Sequence, residues 1–474
     1  MIGRELKRLG NQSVLYGLGG IISRVIAFFL LPVYTVYLGR VGLGKIETIV
    51  ALTAVLAVVL RLGVTSAFFR FYFDAEDDAA RILIVRTAFW FTMVAATVGL
   101  AIGFITAAPI ARWLGLDDPW LVRAGFVGLW AQMNYQQMSA VFRVEQRPVG
   151  YAIASVSNVL ITIGSTIVLV VGRHEGAMGA VVGNFLGTLS VYAVLLAYRR
   201  YQLGLAFDRS LFREMNRFGL PLVPAALALW AINFIDRVLI QQFKGQSEVG
   251  VYSLAVRIAS VLVFLMTAFQ LAWPAFAYSI KNDDQAKRTY AFVLTYLMFL
   301  CCWLSLALGS LAPWLVDVLA TGSFKRSAIA VPVLSFATAA YAGYSVLAIG
   351  VGRARQTQAN WIVTGLAAFV NISLNLVLIP AYGMMGAAIA TLAAYVALFV
   401  AMWYRSDQVF PVPYQWRRIL MLSLVAPALT IGAWQAHSLI VSLVVTAVFP
   451  LVLLPLRFYL PAELARLRKL APGW

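Results

Sequence analysis

The sequence predicts an all-α polytopic membrane protein, with about fourteen transmembrane helices in two pseudo-symmetric six-helix lobes plus two C-terminal helices. Three observations predict it. Of 474 residues, 62% are hydrophobic and 12% charged, with a mean hydropathy of +0.85, whereas a soluble domain carries about 25% charged residues. Apolar runs of the length that crosses about 30 Å of hydrocarbon recur along the whole chain. Finally, a shift of 206 positions lays one half of the chain over the other in matching register.

The composition also excludes function classes. The net charge of +18 is spread as short Lys/Arg clusters between apolar runs, without a continuous basic stripe or an RNA-binding signature, so no nucleic-acid partner is predicted. Cys301 and Cys302 are adjacent inside an apolar run, which rules out a disulfide framework and a CxxC metal site. His174 and His437 each stand alone. No metal, cofactor or catalytic cluster is predicted. The N-terminal MIGRELKRLGNQ is basic, but the apolar run after it reaches Leu38 without a small-residue cleavage motif. It reads as a retained first helix.

Spans are placed at 14–38, 46–69, 88–108, 121–141, 151–171 and 177–197. A basic linker, 198–217, follows. Spans then resume at 218–240, 250–278, 290–312, 328–349, 361–379, 386–404, 419–436 and 439–459, and a short tail ends the 405–474 segment. With the N-terminus inside, the inner segments hold 25 of the 37 Lys and Arg residues and the outer ends 8. That bias is the cytoplasmic excess expected of a multi-pass chain. Both termini are therefore predicted cytoplasmic.

The repeat sets the organisation. YLGRVGLGKIETIVAL, from Tyr37, lies over FKGQSEVGVYSLAVRI, from Phe243, with Gly39 on Gly245 and Gly44 on Gly250. Asp77, Asp78, Ala80 and Arg81 lie over Asp283, Asp284, Ala286 and Lys287. GAMGA at 176–180 and GMMGA at 383–387 match at a shift of 207. Lobes of 1–197 and 218–404 follow, both entering the membrane from the same side because six is even. Parallel repeats related by an axis along the membrane normal are a transporter design. Pro32, Pro221, Pro224 and Pro274 are the candidate helix breakers.

The candidate site is cationic. Within the predicted spans lie Arg24 near mid-depth, Arg61 toward the cytoplasm and Arg257 in the outer half, with Asp236 and Arg237 near the outer end of span seven. The acidic company is Asp236, with Glu47 at the outer mouth of span two. Arginines held only by structural ion pairs would be nearly balanced. The surplus predicts an anionic substrate, whose phosphate oxygens suit the planar fork of arginine. The alternative for each arginine is snorkelling or capping of a carbonyl, and for Asp236–Arg237 an orienting salt bridge. As helix neighbours about 100° apart, those two are not expected to pair with each other. The arginines are not repeated with the scaffold, which suits an elongated ligand with one charged end. Asn134, Gln270, Trp273, Asn360, Asn371 and Asn375 are candidates for sugar contacts or for helix–helix packing.

Some stretches carry a family resemblance: DRVLIQQFKGQSEVGVYSLAVRIA, LLPVYTVYLGRVGLG and NISLNLVLIPAYGMMGAAIATL. They resemble the polysaccharide-export (O-antigen and exopolysaccharide flippase) branch of the multidrug/oligosaccharidyl-lipid/polysaccharide flippase superfamily, over about residues 10–405. The resemblance implies translocation of an undecaprenyl-pyrophosphate-linked oligosaccharide from the inner to the outer leaflet of the bacterial cytoplasmic membrane. Its implied partners are the lipid-linked oligosaccharide, membrane lipids and polysaccharide polymerase machinery. Two alternatives from the same superfamily stay open: a peptidoglycan lipid precursor flippase and a cation-coupled multidrug exporter. A membrane glycosyltransferase would need catalytic carboxylates in substantial loops. The acidic cluster DAEDDAAR at 74–81 has no metal-ligand spacing, and its twin near Asp283 implies a scaffold role.

Overall fold

The computed structural model describes residues 28, 30–200, 203–354, 360–461 and 463, with the side chains of 268, 271, 272 and 275 excepted. Every regular element among them is helical. After a short helical stretch over Leu31–Val33 and a π-turn over Tyr34–Leu38, the helices are α1 (Gly39–Arg61), α2 (Val64–Asp74), α3 (Asp78–Trp113), α4 (Pro119–Val144), α5 (Pro148–Ile167), α6 (Gly176–Arg199), α7 (Arg209–Gly219) and α8 (Val223–Lys244). Next come α9 (Gln246–Ala259), α10 (Val261–Ser279), α11 (Asp283–Ser310), α12 (Ala312–Leu319), α13 (Ala330–Arg353), α14 (Asn360–Tyr382), α15 (Met384–Val409), α16 (Trp416–Ala436) and α17 (Leu439–Val452).

Ten helical segments are long and apolar enough to cross a membrane, or eleven when the bent pair Gln246–Ala259 and Val261–Thr267 is one span. The predicted fourteen is therefore not reached among the described residues, for three physical reasons. Most of span 14–38 lies outside those residues. Helix α4 is 26 residues long, but its WAQMNYQQ run makes it too polar to qualify. Helix α17 is apolar but has 14 residues, about 21 Å of rise.

Two predicted spans are broken where no proline marks them. Helix α1 stops at Arg61, because Leu62 (φ 47°) and Gly63 (φ 73°) both turn left-handed before α2 begins. Gly63 has a second reason to be glycine: a Cβ there would sit 2.1 Å from the Gly219 carbonyl oxygen. Span eight bends by 42° at Ser260, whose hydroxyl donates to the Arg257 carbonyl at 2.6 Å. Of the candidate breakers, Pro221 lies in the 3-10 turn Leu220–Leu222, Pro224 in the first turn of α8, and Pro274 inside α10 without ending it. A first-turn proline removes a donor that had no helical acceptor anyway, so it costs little.

The chain forms two compact units that are discontinuous in sequence. The first comprises Met1–Leu254, Leu319–Phe324 and Asn360–Ala390, and the second Ala255–Val318, Lys325–Ala359 and Thr391–Trp474. In the first, α3 packs along α4, α5 along α6, and α8 against both α1 and α14. In the second, α11 is central and packs against α13, α16 and α17.

The polar groups at helix ends explain the charged loops. Asp77 accepts the Ala80 amide at the start of α3, and Asp78 pairs with Arg81 at 3.0 Å. Asn282 caps α11 through the Gln285 amide, while Asp283 meets Arg353 at 2.7 Å. The 74–81 cluster and its twin thus both start a long helix.

Candidate functional site

Within the first unit, the buried charges converge between α1 and α8, closed off by α9. Arg237 is buried, as are its neighbour Asp236 and Glu47 from α1. Its guanidinium donates Nη1–H to Asp236 Oδ1 at 2.9 Å and Nε–H to Glu47 Oε2 at 3.4 Å. A further Nη1–H reaches the Asn233 carbonyl one turn back. Tyr252 from α9 donates its hydroxyl to the second Asp236 oxygen. The expectation that Asp236 and Arg237 would not pair is overturned. The aspartate turns back over its own helix and accepts the Arg237 amide at 2.8 Å, and this brings Oδ1 under the guanidinium. Two carboxylates against one guanidinium give this cluster no cationic surplus. Its hydrogen bonds satisfy the charges internally, as a buried ionic group requires.

Above this cluster, α1 and α9 approach backbone to backbone. A Cβ on Gly44 would lie 1.9 Å from the Gln246 carbonyl oxygen, and one on Gly250 would lie 1.9 Å from that of Arg40. Thr48 adds a hydrogen bond to Gln246 Oε1 at 3.1 Å, and Gln246 donates to the Leu114 carbonyl at 3.1 Å.

Arg61 is placed differently. It is the last residue of α1, 23 residues long, so it sits about 33 Å along the axis from Gly39. Arg61 thus ends its helix rather than lying part-way along an unbroken helix to residue 69. It is half-buried and has no ion-pair or hydrogen-bond partner among the described residues. Three other arginines are deeply buried, and each is matched by a carboxylate: Arg199 by Glu145 at 2.7 Å, Arg237 as above, and Arg418 by Glu463 at 3.0 Å. A cation in the last turn also faces the negative end of its own helix dipole.

Arg257 occupies the corresponding place in α9, half-buried in the last turn before the Ser260 bend. Arg24 lies outside the described residues.

The polar candidates are all buried or half-buried. Asn371 and Asn375 are fully buried and bond to each other, Nδ2 to Oδ1 at 3.0 Å, one turn apart on α14. Asn134 is fully buried and donates to the Trp130 carbonyl of its own helix at 2.8 Å. Trp273 is buried, stacked on Phe269 at 5.6 Å and edge-on to Tyr290 at 5.3 Å. Gln270 is half-buried on α10. Asn360 is half-buried at the start of α14, where its carbonyl accepts the Thr364 hydroxyl.

Tyr252 and the Gly44–Gln246 contact are the site features that sequence reasoning missed. For Tyr252 the available signal was its place in the GVY motif, two residues after Gly250. No group of three or more His, Cys, Asp or Glu residues able to hold a metal occurs among the described residues.

Solved structures share this fold. The lipid II flippase MurJ in an inward closed conformation superposes with a TM-score of 0.74 at 12% identity, covering 93% of this chain and 98% of that one. A multidrug resistance MATE family transporter of the MOP superfamily does so in its inward-facing conformation with a TM-score of 0.67 at 16% identity, over 87% of this chain and 95% of that one. An outward-facing conformation of a multidrug resistance MATE family transporter of the MOP superfamily gives a TM-score of 0.55 at 14% identity, over 88% of this chain and 96% of that one. No curated protein matches the sequence. Over residues 38–329 the chain matches a family model described as "Polysaccharide biosynthesis protein", and it belongs to that family.

Proposed function

We propose that the protein is a flippase that carries an anionic, undecaprenyl-pyrophosphate-linked oligosaccharide from the inner to the outer leaflet of the bacterial cytoplasmic membrane. Family membership and the flippase and transporter fold support the transport half of this reading. The observation that carries the anionic half is Arg61: among the described residues it is a half-buried guanidinium with no partner, whereas the buried Arg199, Arg237 and Arg418 each have a carboxylate.

The chemistry asks for little more than charge and access. A diphosphate cannot cross hydrocarbon unpaired, whereas a polyprenyl tail can stay in it. An arginine where α1 breaks would meet the diphosphate bidentately as it leaves the headgroup layer. Arg24 and Arg257 would then continue the counter-charges across the membrane. Lobes 1–197 and 218–404, joined by 198–217, would alternate access by rocking, with both termini cytoplasmic and no bond made or broken. The cation-coupled drug exporter is less well supported, because the carboxylates Asp236 and Glu47 are already engaged by Arg237 and Tyr252.

The test is reconstitution into vesicles with a labelled lipid-linked oligosaccharide, following its arrival on the opposite leaflet. Arg61→Ala and Arg24→Ala are expected to slow translocation at least about tenfold with unchanged protein level. Lysine at either position should rescue only partly, since the planar fork is lost. Equal rates for wild type and both alanine variants would sink the proposal. A labelled peptidoglycan precursor in parallel separates the neighbouring flippase reading from this one.

A further inference from the structure

We propose that α7 and the segment leading into it bind an anionic phospholipid of the leaflet predicted to be cytoplasmic, with its tails along α3. Arg209, Arg213 and Arg217 recur every fourth residue on α7 and are all exposed. At 3.6 residues per turn they share an arc of about 80°. None of the three has an ion-pair or hydrogen-bond partner among the described residues. The opposite face of α7 is taken up by protein: Met215 is fully buried, and Leu211, Phe212 and Phe218 pack on a core that includes Phe68 and Ile84. The arginine face is therefore free and points away from that core.

A tail site adjoins the charge. Helix α3 exposes Val94, Val98, Ile102 and Ile105, a stripe at helical spacing along a membrane-crossing helix. At its α7 end the stripe runs into a groove of ≈ 420 Å³ lined by Trp90, Phe91, Val94, Leu205 and Phe207. Leu205 is 93% exposed, which suits a residue covered by hydrocarbon and not by water. Trp90 holds the segment by donating Nε1–H to the Gly204 carbonyl at 3.2 Å, and an indole with one polar edge suits the headgroup level. Asp208 then starts α7, and the Phe91 and Phe212 rings, 4.7 Å apart, dock it on α3. Apolar groove and guanidinium stripe thus follow one another in the order of a lipid's tails and phosphate.

Charge alone would also suit a nucleic acid or an acidic protein. The exposed Leu205 and Phe207, continuous with the lipid-facing stripe, are what favour a lipid. Arginine binds its phosphate bidentately, and an anionic headgroup gains about fivefold in affinity per nearby arginine.

The experiment uses the full chain purified in detergent, with native mass spectrometry counting retained palmitoyl-oleoyl phosphatidylglycerol against phosphatidylcholine of the same chains. Wild type is expected to retain phosphatidylglycerol preferentially. Arg209→Gln, Arg213→Gln and Arg217→Gln together should lower that preference on the order of a hundredfold, and Lys at all three should keep most of it. Leu205→Ser should lower retention of both lipids alike. Should the triple variant elute as aggregate, Arg213→Gln alone decides, with about a fivefold loss expected. Undiminished phosphatidylglycerol retention in the glutamine variant would overturn the proposal. So would displacement of the lipid by heparin at equal charge concentration with no effect of Leu205→Ser, which would mark a general basic surface.

Discussion

Gly44 and Gly250, 206 positions apart, make the same contact in opposite directions: Gly44 lies against the carbonyl of Gln246, and Gly250 against that of Arg40. Arg40 and Gln246 are themselves 206 apart. The contact is reciprocal, as in an isologous interface between identical subunits. Glycine is needed at both positions because a Cβ 1.9 Å from an oxygen cannot be accommodated without moving backbone.

Gly44→Ala and Gly250→Ala should each destabilise the protein by similar amounts, on the order of 1–3 kcal/mol for an overpacked contact. Thermal unfolding in detergent reads this directly. Gly432→Ala is the control, since its Cβ meets nothing within 4 Å toward the C-terminal end of α16, and it should be neutral or slightly stabilising. A Gly44→Ala protein melting with wild type would contradict the contact.

Arg237 holds two buried carboxylates. Arg237→Gln leaves Asp236 and Glu47 without a counter-charge, which costs about 3–5 kcal/mol for a buried pair. Adding Asp236→Asn should recover part of the loss, because it removes one of the two charges left unpaired. A double-mutant cycle with no coupling energy would show that the two groups do not act as a unit.

The Asp208 carboxylate sits below the ordinary carboxylate range because it accepts from the Ser210 hydroxyl and then the Leu211 amide. A lowered folded-state pKa means its contribution is complete above the unfolded value of about 3.9. It fades as pH falls through the lowered folded value. Protection of the 209–213 amides, taken as the exchange rate relative to that of an unstructured chain at the same pH, should therefore fall in acid, and Asp208→Ala should show the reduced protection already at neutral pH with no further loss in acid. An unchanged exchange rate in Asp208→Ala would remove the capping role.

Asp283 pairs with Arg353 across an exposed edge. Such a pair contributes about 0–1 kcal/mol. Asp283→Asn, like Asp78→Asn in the twin cluster, should leave translocation unchanged and melting nearly so. Loss of transport in either variant would give these carboxylates a chemical role that the scaffold reading denies.

Membrane-spanning helices and the all-helical class were legible in the sequence, because burial in lipid demands long apolar runs, and the glycines paired at a shift of 206 were visible before their reciprocal contact was. What tertiary structure alone decided was where charge is spent. As helix neighbours Asp236 and Arg237 are not expected to pair, yet in the fold they do, and Glu47, 189 residues before Asp236, and Tyr252 close the cluster. Arg61 looks interior to a 46–69 span, but Leu62 and Gly63 turn left-handed, with Gly63 close against the Gly219 backbone, and the helix ends there. Composition and periodicity are sums over neighbours in the chain. Whether a guanidinium is neutralised, or a helix stopped, depends on groups brought beside it by packing, and those carry no local mark.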